Sequence, residues 1–266
     1  MAPTKFILVI GVALYLTVTS ALIQDTPYSY IGATGPDKWG SLSPSYAKCS
    51  HGKSQSPINI VKKDLVHDIQ LQPFFRNYTA TNATLINNGF NIGMSYGNSG
   101  GVAYIDGKMY TLKQMHWHTP SEHTIDGQRF AAELHLVHLS KEGTLAVVAI
   151  LYEYGKADPL LHQMKASLDK LTEETCDGDQ EARVAVKVKA KQFSKKTRKY
   201  FRYYGSLTVP PCVENIPWTI LGKVREISKE QVEALKAPLN SSYVNNSRPL
   251  QKLNGRKVLL YNDYLN

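Results

Sequence analysis

The chain has 266 residues, of which 42% are hydrophobic and 20% charged, with a formal net charge of +9 at pH 7. So apolar a composition excludes a disordered chain, and three cysteines in this length exclude a disulfide-stapled miniprotein. The positive charge alone would admit nucleic acid or an acidic surface as partner.

The first 21 residues argue against nucleic acid. Lys5 gives a short positive start, Phe6 to Val18 is almost unbroken apolar sequence, and Thr19-Ser20-Ala21 supplies small residues. A membrane-spanning helix needs about 20 apolar residues, and this run is shorter. The pattern is that of a secretory signal peptide over 1–21, with no stable membrane insertion after cleavage. It sends the chain to the extracellular space or apoplast, or to an organelle reached through the secretory pathway, such as the plastid. Residues 22–266 show no linker, low-complexity run or repeat, so they are expected to form one domain with a substantial core. Nothing in the pattern specifies an oligomeric state.

Cys49 stands before QSPI and Cys212 ends TVPPC, both segments that look structured, whereas Cys176 lies in a polar TEETCDGDQ stretch read as a loop. In an oxidising compartment Cys49 and Cys212 are expected to pair and leave Cys176 free. Closing so long a loop contributes on the order of 4 kcal/mol in the chain-entropy view. Asn77, Asn82, Asn240 and Asn245 each begin an N-x-[ST] sequon and are glycosylation candidates at surface positions.

From residue 83 onward short β-branched and aromatic runs recur between turn signals: ATLINNGFNIGMSYG, VAYIDGKMYTLKQMHWH, TIDG, RFAAELHLVHLS and TLAVVAILYEYG. Asp106-Gly107 between two such runs predicts a tight hairpin. Helical spacing marks 158–171, with Pro159 near its start, and Ser228 with Gln231 forms a capping box heading a helix over 228–235. The basic and aromatic stretch 187–202 is expected to be a solvated strand or loop rim. The fold class is mainly β with some mixed α/β character: one domain built on a large, mostly antiparallel twisted sheet with a few peripheral helices.

Residues 113–124, KQMHWHTPSEHT, crowd three histidines around a Pro-Ser-Glu turn. A strand puts i and i+2 on one face, so His116 and His118 point together and Trp117 points away. If RFAAELHLVHL is the neighbouring strand, His135 projects from the same face. Three nitrogens would then leave a fourth tetrahedral position open, as in a catalytic zinc site. Gln114 and Glu133 stand two residues before His116 and His135 and can accept the ring N–H that a metal leaves unused. His123 and His138 suit structural roles, since His138 faces the other side of a regular strand.

QSPINI (55–60), QMHWHTPSEHTIDG (114–127), AAELHLVH (131–138), GSLTVPPCVENIPWTIL (205–221) and NNSRPLQ (245–251) resemble, in order and spacing, the blocks of the α-class carbonic anhydrases, most of all the plant members. The resemblance runs from about Tyr28 to the C-terminus and implies a largely antiparallel sheet of about ten strands. It implies Zn²⁺ held by His116, His118 and His135, and a reversible hydration of carbon dioxide to bicarbonate by zinc-bound hydroxide. Thr208 and Glu122 would form the hydrogen-bond relay that orients the nucleophile. Val137, Val147, Leu207 and Trp218 would line the carbon dioxide pocket, and Gln114 and Glu133 would support the ligands. Two positions depart from the pattern. Phe90 stands where fast members carry a proton-shuttling histidine, so proton release should be slow and dependent on buffer. Val209 replaces a hydroxyl found in some relatives. Tyr30 and Asn88 match positions that order water in the cleft. Storage or lectin-like relatives in plants supply a second, non-catalytic reading.

Overall fold

The computed structural model describes residues 27–79, 81–176, 182–188 and 197–264; the expected leader and much of the basic stretch lie outside them. The elements that position the site are, in chain order, β1 (Thr81–Asn87), β2 (Ile92–Ser95), β3 (Val102–Ile105), β4 (Lys108–His118), β5 (Ala132–Ser140), β6 (Leu145–Tyr154), α1 (Pro159–Cys176), β7 (Arg183–Val188), β8 (Lys199–Ser206), β9 (Glu214–Leu221), α2 (Lys229–Lys236) and β10 (Leu259–Asn262).

These strands join in one twisted sheet of 13 strands in the order β7-β1-β2-β4-β5-β6-β9-β8-β10, ending on the short strand Val66–His67. Off this path lie β3 with Arg76–Asn77, and Arg225–Ile227 beside β6. Most pairs are antiparallel, but β6 runs parallel to β9 and to Arg225–Ile227, and β10 runs parallel to Val66–His67. The sheet is therefore larger and more mixed than the expected ten strands. The additional members are two- and three-residue edge strands, too short to show a period in sequence.

Local chemistry explains the turns and caps. Asp106 and Gly107 both adopt positive φ, 50° and 73°, as the two-residue turn between β3 and β4 requires. Ser228 and Gln231 cap α2 reciprocally. At the start of α1, Asp158 accepts N–H bonds from Leu160 and Leu161, while Pro159 occupies the first turn, where no N–H is needed. The helix then runs on to Cys176, beyond the expected end at Leu171. Cys176 closes this helix rather than sitting in a loop, because the intervening Glu173 and Glu174 are good helix formers.

The sheet separates two cores. Met115, Trp117, Leu134 and Leu136 project to one face and share a core with Leu160, Met164 and Leu168 of α1. Val137, Val147, Ala149, Phe201, Tyr203 and Trp218 lie on the other. Part of the basic stretch belongs to these cores: Tyr200, Phe201 and Arg202 are buried in β8, which lies between β9 and β10. An interior strand is covered on both faces, so a solvated rim was the wrong expectation there. A third cluster holds Tyr28, Trp39 and Tyr46 against a Cys49–Cys212 disulfide. No helix among the described residues is long and apolar enough to cross a membrane.

Candidate metal centre

The register of β4 against β5 builds the site. His116 lies opposite His135, His118 opposite Glu133, and Gln114 opposite Val137. Residues directly opposite on a ladder share a face, so pairing brings three imidazoles together across 19 positions of sequence. β6 extends the same face with Val147 beside Val137, and β9 places Trp218 beside Val147.

The three rings sit 4.6 to 5.2 Å apart, centroid to centroid. Each offers a nitrogen to a common space in which the three atoms lie within 4.8 Å of one another. The second nitrogen of each ring is engaged: His116 Nδ1 with Gln114 Oε1 at 2.9 Å, His118 Nδ1 with the Asn246 carbonyl at 2.6 Å, and His135 Nε2 with Glu133 Oε1 at 2.8 Å. Because these partners accept, the engaged nitrogens carry the protons, and Nε2 of His116, Nε2 of His118 and Nδ1 of His135 keep their lone pairs. Burial lowers all three from the ordinary histidine range, His118 to about 4, and for His116 the two neighbouring imidazoles add to the effect. Neutral imidazole is the form that binds a metal. Among the described residues His118 Nε2 is buried with no hydrogen-bond partner, an orphan that an ion in the common space would satisfy.

Glu133 organises the surroundings. Its Oε2 accepts the backbone N–H groups of Glu122 and His123, at 2.9 and 2.7 Å, and its Oε1 meets His123 Nδ1 at 2.6 Å as well as His135. Burial by itself raises this carboxyl, but the two histidines and their hydrogen bonds outweigh it and hold the group well below the carboxylate range. His123, Glu133 and His135 also lie close enough to form a second triad. There Glu133 Oε1 bridges the two rings, and His123 Nε2 meets the Tyr203 hydroxyl at 2.7 Å, so this triad is a hydrogen-bond chain. His138 points into the opposite core and meets the Tyr78 hydroxyl at 2.7 Å.

Glu122 is fully buried. The Arg248 N–H donates to its Oε1 at 2.9 Å, while Oε2 lies 3.6 Å from His118 Nε2 and has no hydrogen-bond partner among the described residues. Burial lifts its carboxyl to about 7, with Glu133 adding to the rise and His135, Thr208 and Arg248 opposing it. No hydrogen bond joins the Thr208 hydroxyl to Glu122 among the described residues. Val137, Val147 and Trp218 are buried and Leu207 is half-buried beside the same face, and the Trp218 ring lies 4.8 Å from that of His135.

The wall around Phe90 is apolar. Its half-buried ring lies 5.5 Å from Tyr28 and packs with Tyr30 and Val209 on the disulfide cluster. The Tyr28 and Tyr30 hydroxyls are buried without a hydrogen-bond partner among the described residues. Asn88, matched above to a water-ordering position, spends its amide locally: Oδ1 accepts from Phe90 N and Asn91 N, and Nδ2 donates to Asn91 Oδ1. It shapes the turn that presents Phe90.

Two further residues were not singled out from sequence. Asn246 supplies the carbonyl for His118 and receives the Thr119 N–H on its Oδ1. Arg248 donates to Gln55, to the Ser56 and Cys49 carbonyls and, through its backbone, to Glu122. Both lie in NNSRPLQ, a block that carries the family resemblance, but more than 120 positions from the groups they hold, so sequence alone assigned neither a role.

One mixed sheet carrying three inward imidazoles, each braced by its own acceptor, defines a metalloenzyme-like scaffold of the α-carbonic anhydrase type. The chain belongs to that family: the model of the eukaryotic-type carbonic anhydrases matches residues 34–262. Alpha carbonic anhydrase 8 of Arabidopsis thaliana is 41% identical over 242 residues, covering 90% of this chain and 61% of that relative. Among solved structures, dioscorin complexed with ascorbate superposes with a TM-score of 0.82 at 38% identity, covering 88% of this chain and 98% of that one. The α-carbonic anhydrase of Thermovibrio ammonificans, in complex with the inhibitor sulfanilamide, gives a TM-score of 0.77 at 35% identity, covering 88% and 99%.

Proposed function

We propose that the chain is a zinc-dependent carbonic anhydrase that interconverts carbon dioxide and bicarbonate with slow, buffer-dependent proton release. The carrying observation is the set of three imidazole nitrogens within 4.8 Å, on the buried rings of His118 and His135 and the half-buried ring of His116, each fixed by a separate acceptor. That donor set fits Zn²⁺, with His116, His118 and His135 as ligands and one position left open. What zinc supplies there, when bound, is a water whose pKa falls from 15.7 toward about 7.

The chain's own residues do the rest. Gln114, Asn246 and Glu133 hold the ligand tautomers. Glu122, anchored by the Arg248 N–H, would accept a hydrogen bond from the Thr208 hydroxyl, which leaves the threonine oxygen free to accept from a nucleophile. Val137, Val147, Leu207 and Trp218 offer a dry surface to an apolar, linear substrate. Phe90 carries no proton at any pH, so proton release passes to buffer. The same reading takes residues 1–21 as a cleaved leader and residues 22–266 as a secreted domain, which the disulfide supports.

The likeness to dioscorin favours one second reading, a protein that binds a small organic acid such as ascorbate in the same cleft. Stopped-flow carbon dioxide hydration with metal analysis, across a range of buffer concentrations, separates the two. One zinc per chain and a rate that climbs with buffer support the enzyme. No zinc and no hydration above background, with ascorbate binding retained, would establish the second reading.

A further inference from the structure

A groove of about 520 Å³ runs between the turn after β4, the segment leading into β5, the end of β6 and α2, and none of the three histidines lines it. Pro120, Arg129, Glu153, Tyr154, Lys236 and Asn245 are among its lining residues. Tyr154 is 54% exposed, a large hydrophobic residue left open to water. An exposed aromatic ring beside planar and charged polar groups is the chemistry that takes up sugars, whose C–H faces stack and whose hydroxyls hydrogen-bond.

Asn245 begins a sequon, and it differs from the other three. Asn240 Oδ1 is engaged by the Ser242 N–H at 3.1 Å. Asn77 and Asn82 lie within paired strands, opposite Val102 and Lys187. Asn245 lies in an irregular segment, exposed, with no hydrogen bond to its side chain among the described residues. Its sequon serine, Ser247, donates to the carbonyl of Pro120 in the groove wall. We propose that Asn245 carries an N-linked glycan whose first sugars lie in this groove and cover the Tyr154 ring. Attachment fixes the occupant, because the acceptor asparagine is itself a lining residue and a glycan there begins inside the groove. The proposal rests on passage through an oxidising, glycosylating compartment and is independent of the zinc reading.

The test uses the full chain secreted from a eukaryotic host. Peptide mapping by mass spectrometry, after enzymatic glycan release in ¹⁸O-water, shows whether Asn245 is occupied. Hydrogen exchange over 128–131, 153–154 and 229–236 is then compared among the glycosylated protein, N245Q and S247T. Expected are an occupied Asn245 and slower exchange in those segments, lost in N245Q and kept in S247T, which retains both sequon and hydroxyl. An unoccupied Asn245, whether or not another sequon is used, overturns the proposal. So does an occupied Asn245 with the same exchange in N245Q. Carbon dioxide hydration should be unchanged in N245Q, so loss of the catalytic reading and loss of this one are read separately.

Discussion

β4 and β5 carry two different chemistries on one backbone. One face presents Met115, Trp117, Leu134 and Leu136 to the helix-covered core, and the other presents Gln114, His116, His118, Glu133 and His135 to the site. The apolar face is stabilised by area, at about 25 cal/mol per Å², and no single contact there specifies the arrangement. On the polar face each buried group depends on a particular partner. Glu133 alone meets two ring nitrogens and two backbone N–H groups, so losing it strands four groups at once. Neighbouring residues on one strand should therefore fail in different ways when they are changed.

The largest effect is expected at the ligands. H118A, or chelation of the metal, should reduce carbon dioxide hydration to background in stopped-flow assays. Restoring zinc to the wild type at 100 times its Kd should add about 2.7 kcal/mol to stability, seen as a raised Tm. Activity that survives in H118A would break the assignment of the polar face as a metal centre.

Adjacent residues sharpen the comparison. E133A should cost about 3–5 kcal/mol in denaturant unfolding, because it leaves buried partners uncompensated, and should weaken zinc binding by about 10–100-fold. L134A, one position away on the other face, should cost about 2–5 kcal/mol with zinc affinity unchanged. Equal losses of zinc affinity in the two variants would show that the faces are not separable.

The smallest effect is expected at the cleft wall. F90H should raise kcat at low buffer by about 10²-fold at most, the lower range of general acid–base contributions, and flatten the dependence on buffer. A rate already independent of buffer in the wild type would mean that another group carries the proton out.

The histidine pair was legible because strand alternation is local: His116 and His118 share a face in any regular strand. The pairing of Ser228 with Gln231 and the Asp106-Gly107 turn were legible for the same reason. Asn246 was not, since its only relation to His118 is a contact across 128 positions. The end of α1 was misplaced because a polar, acidic run resembles a loop in composition while its glutamates still favour helix.

The sequence by itself determined which residue types alternate on β4 and β5, where the tight turns and caps fall, and that His116 and His118 share a face. Only the tertiary structure decided which nitrogen of each ring is free, because Gln114, Asn246 and Glu133 reach those rings through register and long-range packing. It also decided the protonation preferences. Burial drives the imidazoles toward neutrality and Glu122 up, while Glu133 stays charged between two histidines. Those preferences depend on what surrounds each group in space, and neighbours in sequence do not specify it.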